Sequence, residues 1–181
     1  RPTVLTIGSF DGVHRGHQGL VDALVAEANK LGLQVVVFTF FPHPSVVIHG
    51  RQPPFYINRP DEKATLLANL GVDWVITHPF DDRVRKQTPE AFLRLLRQSL
   101  DFRQFWCGPD FALGHQREGT VEWLNTHGPS LGYELRVVDA VTHGESTISS
   151  SRIRAALRSG DVTEVRRCLG RHIRIPGTVI K

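Results

Sequence analysis

Residues 4–17 read Val-Leu-Thr-Ile-Gly-Ser-Phe-Asp-Gly-Val-His-Arg-Gly-His, and this stretch decides the fold. Its first four residues are an apolar run that ends at Gly8, which is typical of a buried strand. Beyond residue 15, apolar residues recur at helical spacing until Gly32, which predicts a helix that ends at a glycine. Those positions are Leu20, Leu24, Ala28 and Leu31. The stretch therefore places a turn between a buried strand and the beginning of a helix.

The rest of the chain repeats this alternation of strand and helix. Four more apolar or β-branched runs predict strands, at residues 34–40, 74–77, 105–108 and 134–138. Capping and spacing signals predict helices that begin at Pro60, at Thr88, near residue 121, at Ser149, and at Asp161 with Glu164. Alternation of this kind indicates an α/β fold, a Rossmann-like open parallel sheet with helices on both faces.

Two stretches depart from that pattern. Residues 41–59 are dense in proline and histidine and predict a long loop. Residues 172–175 and 178–180 alternate around Pro176-Gly177 and predict the beginning of further β structure.

The composition is that of a folded domain and excludes several classes. Hydrophobic residues make up 40% and charged residues 22% of the 181, unlike disordered or fibrous chains. Cys107 and Cys168 lie far apart, which excludes a disulfide scaffold and indicates a reducing, cytoplasmic compartment. No apolar run approaches the roughly 18 residues of a membrane span, and no signal peptide opens the chain. Because methionine is absent, we expect Arg1 not to be the native start.

The first candidate site is the turn of residues 8–17. A helix N-terminus offers unpaired N–H groups and a partial positive charge, which suits phosphate, and glycines allow close approach of a ligand. His14 and His17 could donate to one anion and, if protonated, would add positive charge. The two histidines could also be zinc ligands, although no third ligand stands at metal spacing, and Asp11 could be a cap of the turn.

The second candidate site is residues 148–154, Ile-Ser-Ser-Ser-Arg-Ile-Arg. Three hydroxyls at a predicted helix start can cap the helix or bind an anion, and Arg152 and Arg154 add forked donors that match phosphate oxygens. An ordinary serine cap with exposed arginines is the alternative. Two anion sites at the same edge of one sheet suggest a polyphosphate lying between them.

The two sites together carry a family resemblance. The first resembles the HxGH signature, and the second the ISSTxxR signature, of the nucleotidylyltransferase superfamily. The longer string at 8–18, GSFDGVHRGHQ, resembles the GNFDGVHxGHQ of the FAD synthetase family, the bifunctional riboflavin kinase/FMN adenylyltransferases. Further segments similar to that family lie at residues 39–44 (TFxPHP), 60–73 (PEEK…LGVD), 88–92 (SPEEF), 108–114 (GxDFxFG), 160–162 (GDV) and 169–179 (LGRPY…GxV).

The resemblance implies transfer of AMP from ATP to FMN, with Mg²⁺, giving FAD and pyrophosphate. Residues 1–170 would be the adenylyltransferase domain and residues 171–181 the start of a riboflavin kinase barrel. The family's GxxxGxPTAN kinase motif does not occur, so this chain is not expected to phosphorylate riboflavin. Ser9 and Ser151 replace the usual Asn and Thr, and Ala112-Leu113 replaces a basic and an aromatic residue.

The resemblance also implies site residues, while metal ligands stay unassigned. Those acting on the phosphates are His14, His17, Ser150, Ser151 and Arg154. Those binding ATP are Gly8, Ser9, Phe10, Asp11, Gly16, His17, Ser150 and Arg154. Those binding FMN are Pro42, His43, Pro44, Asp110 and Phe111, where the alternative is that the proline-rich loop only turns and Asp110 only caps a loop.

Other functions compete with this one. A cytidylyltransferase or a pantetheine-phosphate adenylyltransferase would share the HxGH and serine-rich signatures but would lack the GSFDGVH and TFFPHP strings. A non-catalytic nucleotide-binding module would bind ATP without releasing pyrophosphate. The net charge of +4 favours anionic partners only mildly, and the basic residues form no stripe interleaved with aromatics, so neither nucleic acid nor a membrane is an expected partner.

Overall fold

A computed structural model describes residues 1–50, 56–143, 146–175 and 177. The strands are β1 (Thr3–Ile7), β2 (Gln34–Phe40), β3 (Trp74–His78), β4 (Phe102–Cys107), β5 (Ala112–Leu113), β6 (Gly119–Thr120), β7 (Glu134–Val137), β8 (Thr142–His143) and β9 (Ser146–Thr147). The α-helices are α1 (Arg15–Leu31), α2 (Pro44–His49), α3 (Pro60–Ala68), α4 (Asp82–Arg85), α5 (Pro89–Leu100), α6 (Val121–Leu131), α7 (Ser150–Ser159) and α8 (Val162–Leu169).

The main sheet is parallel, with strand order β3-β2-β1-β4-β7. The side chains of β1 and β2 alternate between its faces: Val4, Val35 and Val37 pack with α1 and α3. Leu5, Val36 and Phe38 pack on the other face with α5 and α6. A central strand buried on both faces reads as a continuous apolar run, as residues 4–7 and 34–40 do. The predicted fold class, an open parallel sheet covered on both faces, is therefore confirmed.

Local capping explains where several helices begin and end. Thr88, Ser149 and Asp161 each accept a hydrogen bond from a backbone N–H in the first turn of α5, α7 and α8. Gly32 ends α1 in a left-handed conformation with φ +64°. These are the signals that the sequence analysis used, and the helices lie where it predicted them.

The prediction of a loop over residues 41–59 is wrong for residues 44–49, which form α2, and residues 51–55 lie outside the described residues. Pro44 stands in the first turn of α2, and the His43 ring caps it by accepting a hydrogen bond from the Ser45 N–H. Residues 172–175 do not form the predicted strand, because in the described part of the chain no strand pairs with them. The predicted strand over 178–180 lies outside the described residues.

Helices α7 and α8 pack on each other and form a layer of their own, beside the two helix layers that cover the sheet. Ile153, Val165, Cys168 and Leu169 from these helices bury one apolar cluster together with Ile148. Arg152 crosses between the helices and pairs with Glu164 at 2.6 Å. This layer brings the N-terminus of α7 to the carboxyl edge of the sheet. No helix within the described residues is long and apolar enough to cross a membrane.

Candidate active site

The turn of residues 8–14 leaves the carboxyl end of β1, where the strand order reverses. Strands β2 and β3 lie to one side of β1, and β4 and β7 lie to the other. Ligands of open α/β sheets bind in the crevice at such a switch point. The turn therefore stands where the fold itself favours a ligand.

Unusual backbone angles shape this turn. Phe10 and Val13 have φ +47° and +40°, a region that bulky side chains such as Phe and β-branched ones such as Val rarely adopt. Each such residue costs on the order of 1–3 kcal/mol and persists only when its surroundings hold it in place. Phe10 and Val13 are both buried, and the Val13 N–H donates to the Phe10 carbonyl at 3.1 Å.

The carbonyl oxygens of the turn accept hydrogen bonds from distant side chains. Lys63 Nζ donates to the Ser9 carbonyl at 3.0 Å, and Ser150 Oγ donates to the Asp11 carbonyl at 2.8 Å. Gln18 Nε2 donates to the Val13 carbonyl at 2.8 Å. In a trans peptide the N–H points opposite to the C=O. Donors on the carbonyl side therefore fix the direction of the N–H groups on the other side.

His14 and His17 stack on each other at the start of α1. Their ring centroids lie 3.7 Å apart, and the His17 N–H donates to His14 Nδ1 at 3.3 Å. Because Nδ1 of His14 accepts this bond, the neutral ring carries its proton on Nε2 and can donate there. The Nδ1 atom of His17 is buried without a hydrogen-bond partner among the described residues.

Burial lowers the pKa of both histidines. Burial, followed by the charges of Arg154 and Arg171, lowers the pKa of His14 from 6.5 to about 4. Burial, followed by the neighbouring His14 and Lys63, lowers the pKa of His17 well below 6.5. Without a bound anion both rings are therefore neutral at pH 7 and act as hydrogen-bond donors, in contrast to the alternative of two positive charges.

Gly16, between the two histidines, leaves room for the ring of His14. A Cβ at position 16 would lie 3.1 Å from two ring atoms of His14 and 3.5 Å from the Ile148 carbonyl oxygen. The spacing of the HxGH string therefore has a steric reason in this fold.

A cavity of about 300 Å³ opens beside the turn. It lies over the ends of β1, β4 and β7, which is the carboxyl edge of the sheet. The described residues that line it include the predicted residues Gly8, Phe10, His14, Gly16, His17, Asp110 and Phe111. A nucleotide placed in it would contact the histidines and the N-terminus of α1.

Asp11 joins the two predicted sites. Its buried carboxylate accepts hydrogen bonds from the backbone N–H groups of Ile57 and Asn58 and pairs with Arg154 at 2.5 Å. Arg154 is itself buried, with 10% of its side chain exposed. In this arrangement Asp11 and Arg154 hold the turn to α7, while the Ser151 side chain stands exposed at the first turn of that helix.

Three of the five predicted FMN residues line a cavity, in two different places, whereas Pro42 and His43 line neither. Asp110 and Phe111 line the cavity beside the histidines. Pro44 lines a second cavity of about 540 Å³, while His43 caps α2 and its N–H donates to the Tyr56 hydroxyl at 3.0 Å. Described residues around the second cavity include the aromatic rings of Phe40, Phe80 and Phe92 and the segment 112–117.

Lys63 is a further residue of this site and was not among the predicted site residues, although it lies within the similar segment at residues 60–73. Lys63 is buried, with 6% of its surface exposed, and donates to both the Ser9 carbonyl and Thr39 Oγ1. Burial lowers its pKa from 10.5 to about 8, although the nearby Asp11 acts in the opposite direction. A lysine in the first turn of a helix, where a basic residue is unfavourable, is the local signal that could have found it.

Comparison with known proteins agrees with this geometry. The model of the FAD synthetase family matches residues 1–152. The chain belongs to the FAD synthetase family. The family predicted from the two signatures is therefore confirmed.

Individual relatives of this FAD synthetase family member extend the match. The bifunctional riboflavin kinase/FMN adenylyltransferase of Escherichia coli K12 is 35% identical over 98% of this chain and 57% of its own length. The protein of the same name from Listeria monocytogenes is 34% identical over 98% of this chain and 56% of its own. The chain thus spans a little over half the length of these curated relatives.

A solved structure matches as well. A Streptococcus pneumoniae protein named as a macrolide-efflux protein superposes with a TM-score of 0.88 at 28% identity. The match covers 96% of this chain and 58% of that one. For this chain it supports the α/β fold described above.

Proposed function

We propose that this chain is an FMN adenylyltransferase, which forms FAD and pyrophosphate from ATP and FMN. One observation carries the proposal: the turn of residues 8–14, which we call the histidine turn, meets helix α7 at Asp11. The contacts are the Ser150 hydrogen bond and the Arg154 ion pair. Their meeting places two helix N-termini and two histidines at one edge of the sheet, an arrangement suited to a polyphosphate. Membership of the FAD synthetase family supports the choice of substrates.

The reaction needs placement and charge stabilisation rather than a side-chain nucleophile. An oxygen of the FMN phosphate attacks the α-phosphorus of ATP, and the bond from that phosphorus to the bridging oxygen of pyrophosphate breaks. The attacking oxygen is already ionised, so no proton has to be removed from it. The enzyme's task is to align the two phosphates and to stabilise the spreading negative charge.

We assign the phosphate contacts to residues of the histidine turn and of the first turn of α7. Nε2–H of His14 and the exposed part of His17 would donate to the α- and β-phosphates, as neutral donors that strengthen when the pentavalent phosphorus gathers charge. Ser151 and the first N–H groups of α7 would hold the leaving pyrophosphate, while Ser150, whose hydroxyl donates to the Asp11 carbonyl, would fix the start of α7 beside the turn. Arg154 would contribute indirectly: its ion pair with Asp11 holds the start of α7 against the turn, and so keeps these donors beside the pyrophosphate.

Mg²⁺ enters this proposal as part of the substrate MgATP. No group of three histidine, cysteine, aspartate or glutamate side chains within the described residues could hold a metal ion. The phosphates would therefore supply most of its oxygen ligands, as is usual for magnesium with nucleotides. The ion would neutralise part of the triphosphate charge.

The two cavities suit the two substrates. Adenosine would occupy the cavity over β1, β4 and β7, beside Gly8 and Phe10. The flavin would enter the second cavity, whose size and aromatic lining are typical of sites for planar ligands. Asp110 and Phe111 lie on one side of the segment 108–114 and residues 112–114 line the other, so this segment would separate the two substrates.

We further propose that residues 1–170 are the adenylyltransferase domain of a longer protein and that residues 171–181 lead into a riboflavin kinase barrel. The relatives named riboflavin kinase/FMN adenylyltransferase extend well beyond the matched part. The buried free thiols Cys107 and Cys168 support a reducing compartment, which we infer to be the cytoplasm.

A substrate panel tests the activity. The 181-residue chain is incubated with Mg²⁺ and either ATP or CTP, against FMN, phosphopantetheine or glycerol phosphate, and products are separated by chromatography. We expect FAD and an equal amount of pyrophosphate from ATP with FMN alone. Pyrophosphate from another pair would assign the chain to a different nucleotidylyltransferase, and ATP binding without pyrophosphate release would make it a binding module.

A further inference from the structure

Arg171 lies outside both signatures, one residue beyond the Gly170 cap of α8's last turn, and yet its guanidinium reaches the turn of residues 8–14. One of its terminal nitrogens donates to the Gly12 carbonyl at 2.7 Å and to Asn58 Oδ1 at 3.4 Å. The other donates to the carbonyls of Val13 at 3.1 Å and Leu169 at 3.3 Å. A planar fork can hold two successive carbonyls in this way, whereas an ammonium group is a single point of charge.

These bonds fall on the most strained part of the turn. Val13 is branched at Cβ and has φ +40°, so it needs surroundings that hold it there. Gln18 and Arg171 both donate to its carbonyl, and both also donate to the Leu169 carbonyl at the end of α8. The turn is thus fastened to the C-terminal end of α8 through two side chains.

The same bonds set the direction of the His14 peptide. The Val13 carbonyl and the His14 N–H belong to one peptide unit and point in opposite directions. With the carbonyl held by Arg171, the His14 N–H points away from Arg171, at the beginning of α1. A second link runs through Asn58, because its side chain accepts from Arg171 while its N–H donates to the Asp11 carboxylate at 3.3 Å.

We propose that Arg171 is a positioning residue for the adenylyl transfer: it holds the Gly12 and Val13 carbonyls so that His14 and the start of α1 keep the orientation that the phosphates require. The proposal rests on the function proposed above. Arg171 acts through the turn rather than on substrate, since its two terminal nitrogens are engaged by four protein oxygens.

The test compares Arg171→Gln and Arg171→Lys with the wild-type chain. Arg166→Gln is the matched control, because Arg166 is an exposed arginine of the adjacent α8. Two measurements are made on the 181-residue chain: kcat and KM for FAD formation from MgATP and FMN, and hydrogen exchange of the backbone amides. The exchange measurement needs no activity. It therefore tests whether Arg171 holds the Gly12 and Val13 carbonyls, an arrangement that we call the clamp, even if FMN is not the substrate.

We expect R171Q to lower kcat on the order of 10²-fold, because small misplacements of reacting groups cost about that much. KM for ATP should change less, and exchange should accelerate at least tenfold at residues 12–14 but not in the main sheet. R171K should recover part of both effects, and R166Q should match wild type.

Other results would overturn the proposal. Wild-type exchange at residues 12–14 in R171Q would show that the turn does not depend on Arg171. Uniformly faster exchange throughout R171Q and R171K would assign Arg171 to global stability alone. A wild-type chain that makes no FAD, with localised exchange in R171Q, would refute the proposed function and leave the clamp standing.

Discussion

At the scale of single residues, His17 offers the most direct test of the phosphate site. Its ring stacks on His14 and lies 4.9 Å from the ring of Phe10, and it lines the cavity that we propose for the nucleotide. We expect His17→Ala to lower kcat for FAD formation by about 10²–10³-fold, the usual cost of removing one donor to a developing oxyanion. His127→Ala is the control, because His127 stacks on Trp123 of α6 instead. Near-normal turnover of the His17 variant would remove this histidine from the mechanism.

Lys63 gives a second prediction at this scale, and it concerns stability against pH. Between about pH 8 and 10.5 the unfolded chain binds a proton on Lys63 that the folded chain does not. The free energy of unfolding should therefore rise with pH across that range, by up to about 3 kcal/mol from this group at ~1.4 kcal/mol per pKa unit. Urea unfolding of wild type and Lys63→Met is measured at several pH values. The difference between their free energies of unfolding at each pH gives the contribution of Lys63. Parallel pH curves for the two chains would contradict it.

At the scale of elements, the joint between the turn and α7 depends on one buried ion pair. Asp11 and Arg154 have 4% and 10% of their side chains exposed, so either charge left alone would be buried without its partner. We expect Asp11→Asn or Arg154→Met to lower the free energy of unfolding by about 3–5 kcal/mol, and the double variant to lose less than the sum. Chemical denaturation of the four chains measures this. Additive losses would mean that the pair is not what joins the two elements.

Elements were also where the sequence was most and least informative. The strands at 34–40 and 74–78 and the capped helix at 89–100 follow from residues close together in the chain, so local patterns predicted them. Helix α2 was missed because β-branched Val46 and Val47 beside two prolines look like loop or strand. Its cap depends on the His43 ring, and histidine is a weak capping signal in sequence.

Long-range contacts explain what the sequence could not predict about the site. The signatures indicated which residues gather there, yet not that Arg154 and Asp11, 143 positions apart, would neutralise each other. Lys63 and Arg171 contact backbone carbonyls, which every residue has, so no pattern of side chains reveals their partners. The cavity beside the histidines likewise forms only when the ends of β1, β4 and β7 come together.

At the scale of the whole molecule, the neutral His14 makes stability depend on acid. Between pH 6.5 and about 4 the unfolded chain binds a proton on His14 that the folded chain excludes, so acidification favours the unfolded state. The free energy of unfolding should fall over that range by up to about 3 kcal/mol from this residue, at ~1.4 kcal/mol per pKa unit. His17, whose pKa is also lowered, would add to the loss.

The variant His14→Asn separates the contribution of His14 to this acid loss from the contribution of the carboxylates, which also titrate in acid. The Asn oxygen can still accept the His17 N–H and cap α1, but it carries no titratable proton. Thermal and urea unfolding between pH 4 and 7 should show a shallower acid loss in this variant than in wild type. Saturating MgATP should stabilise wild type by about the same amount across this range if the histidines stay neutral in the complex. If the bound phosphates raise the pKa of the histidines so that they take up protons, the nucleotide should stabilise the chain most at the acid end. An identical acid slope in wild type and His14→Asn would show that the buried histidine does not couple folding to pH.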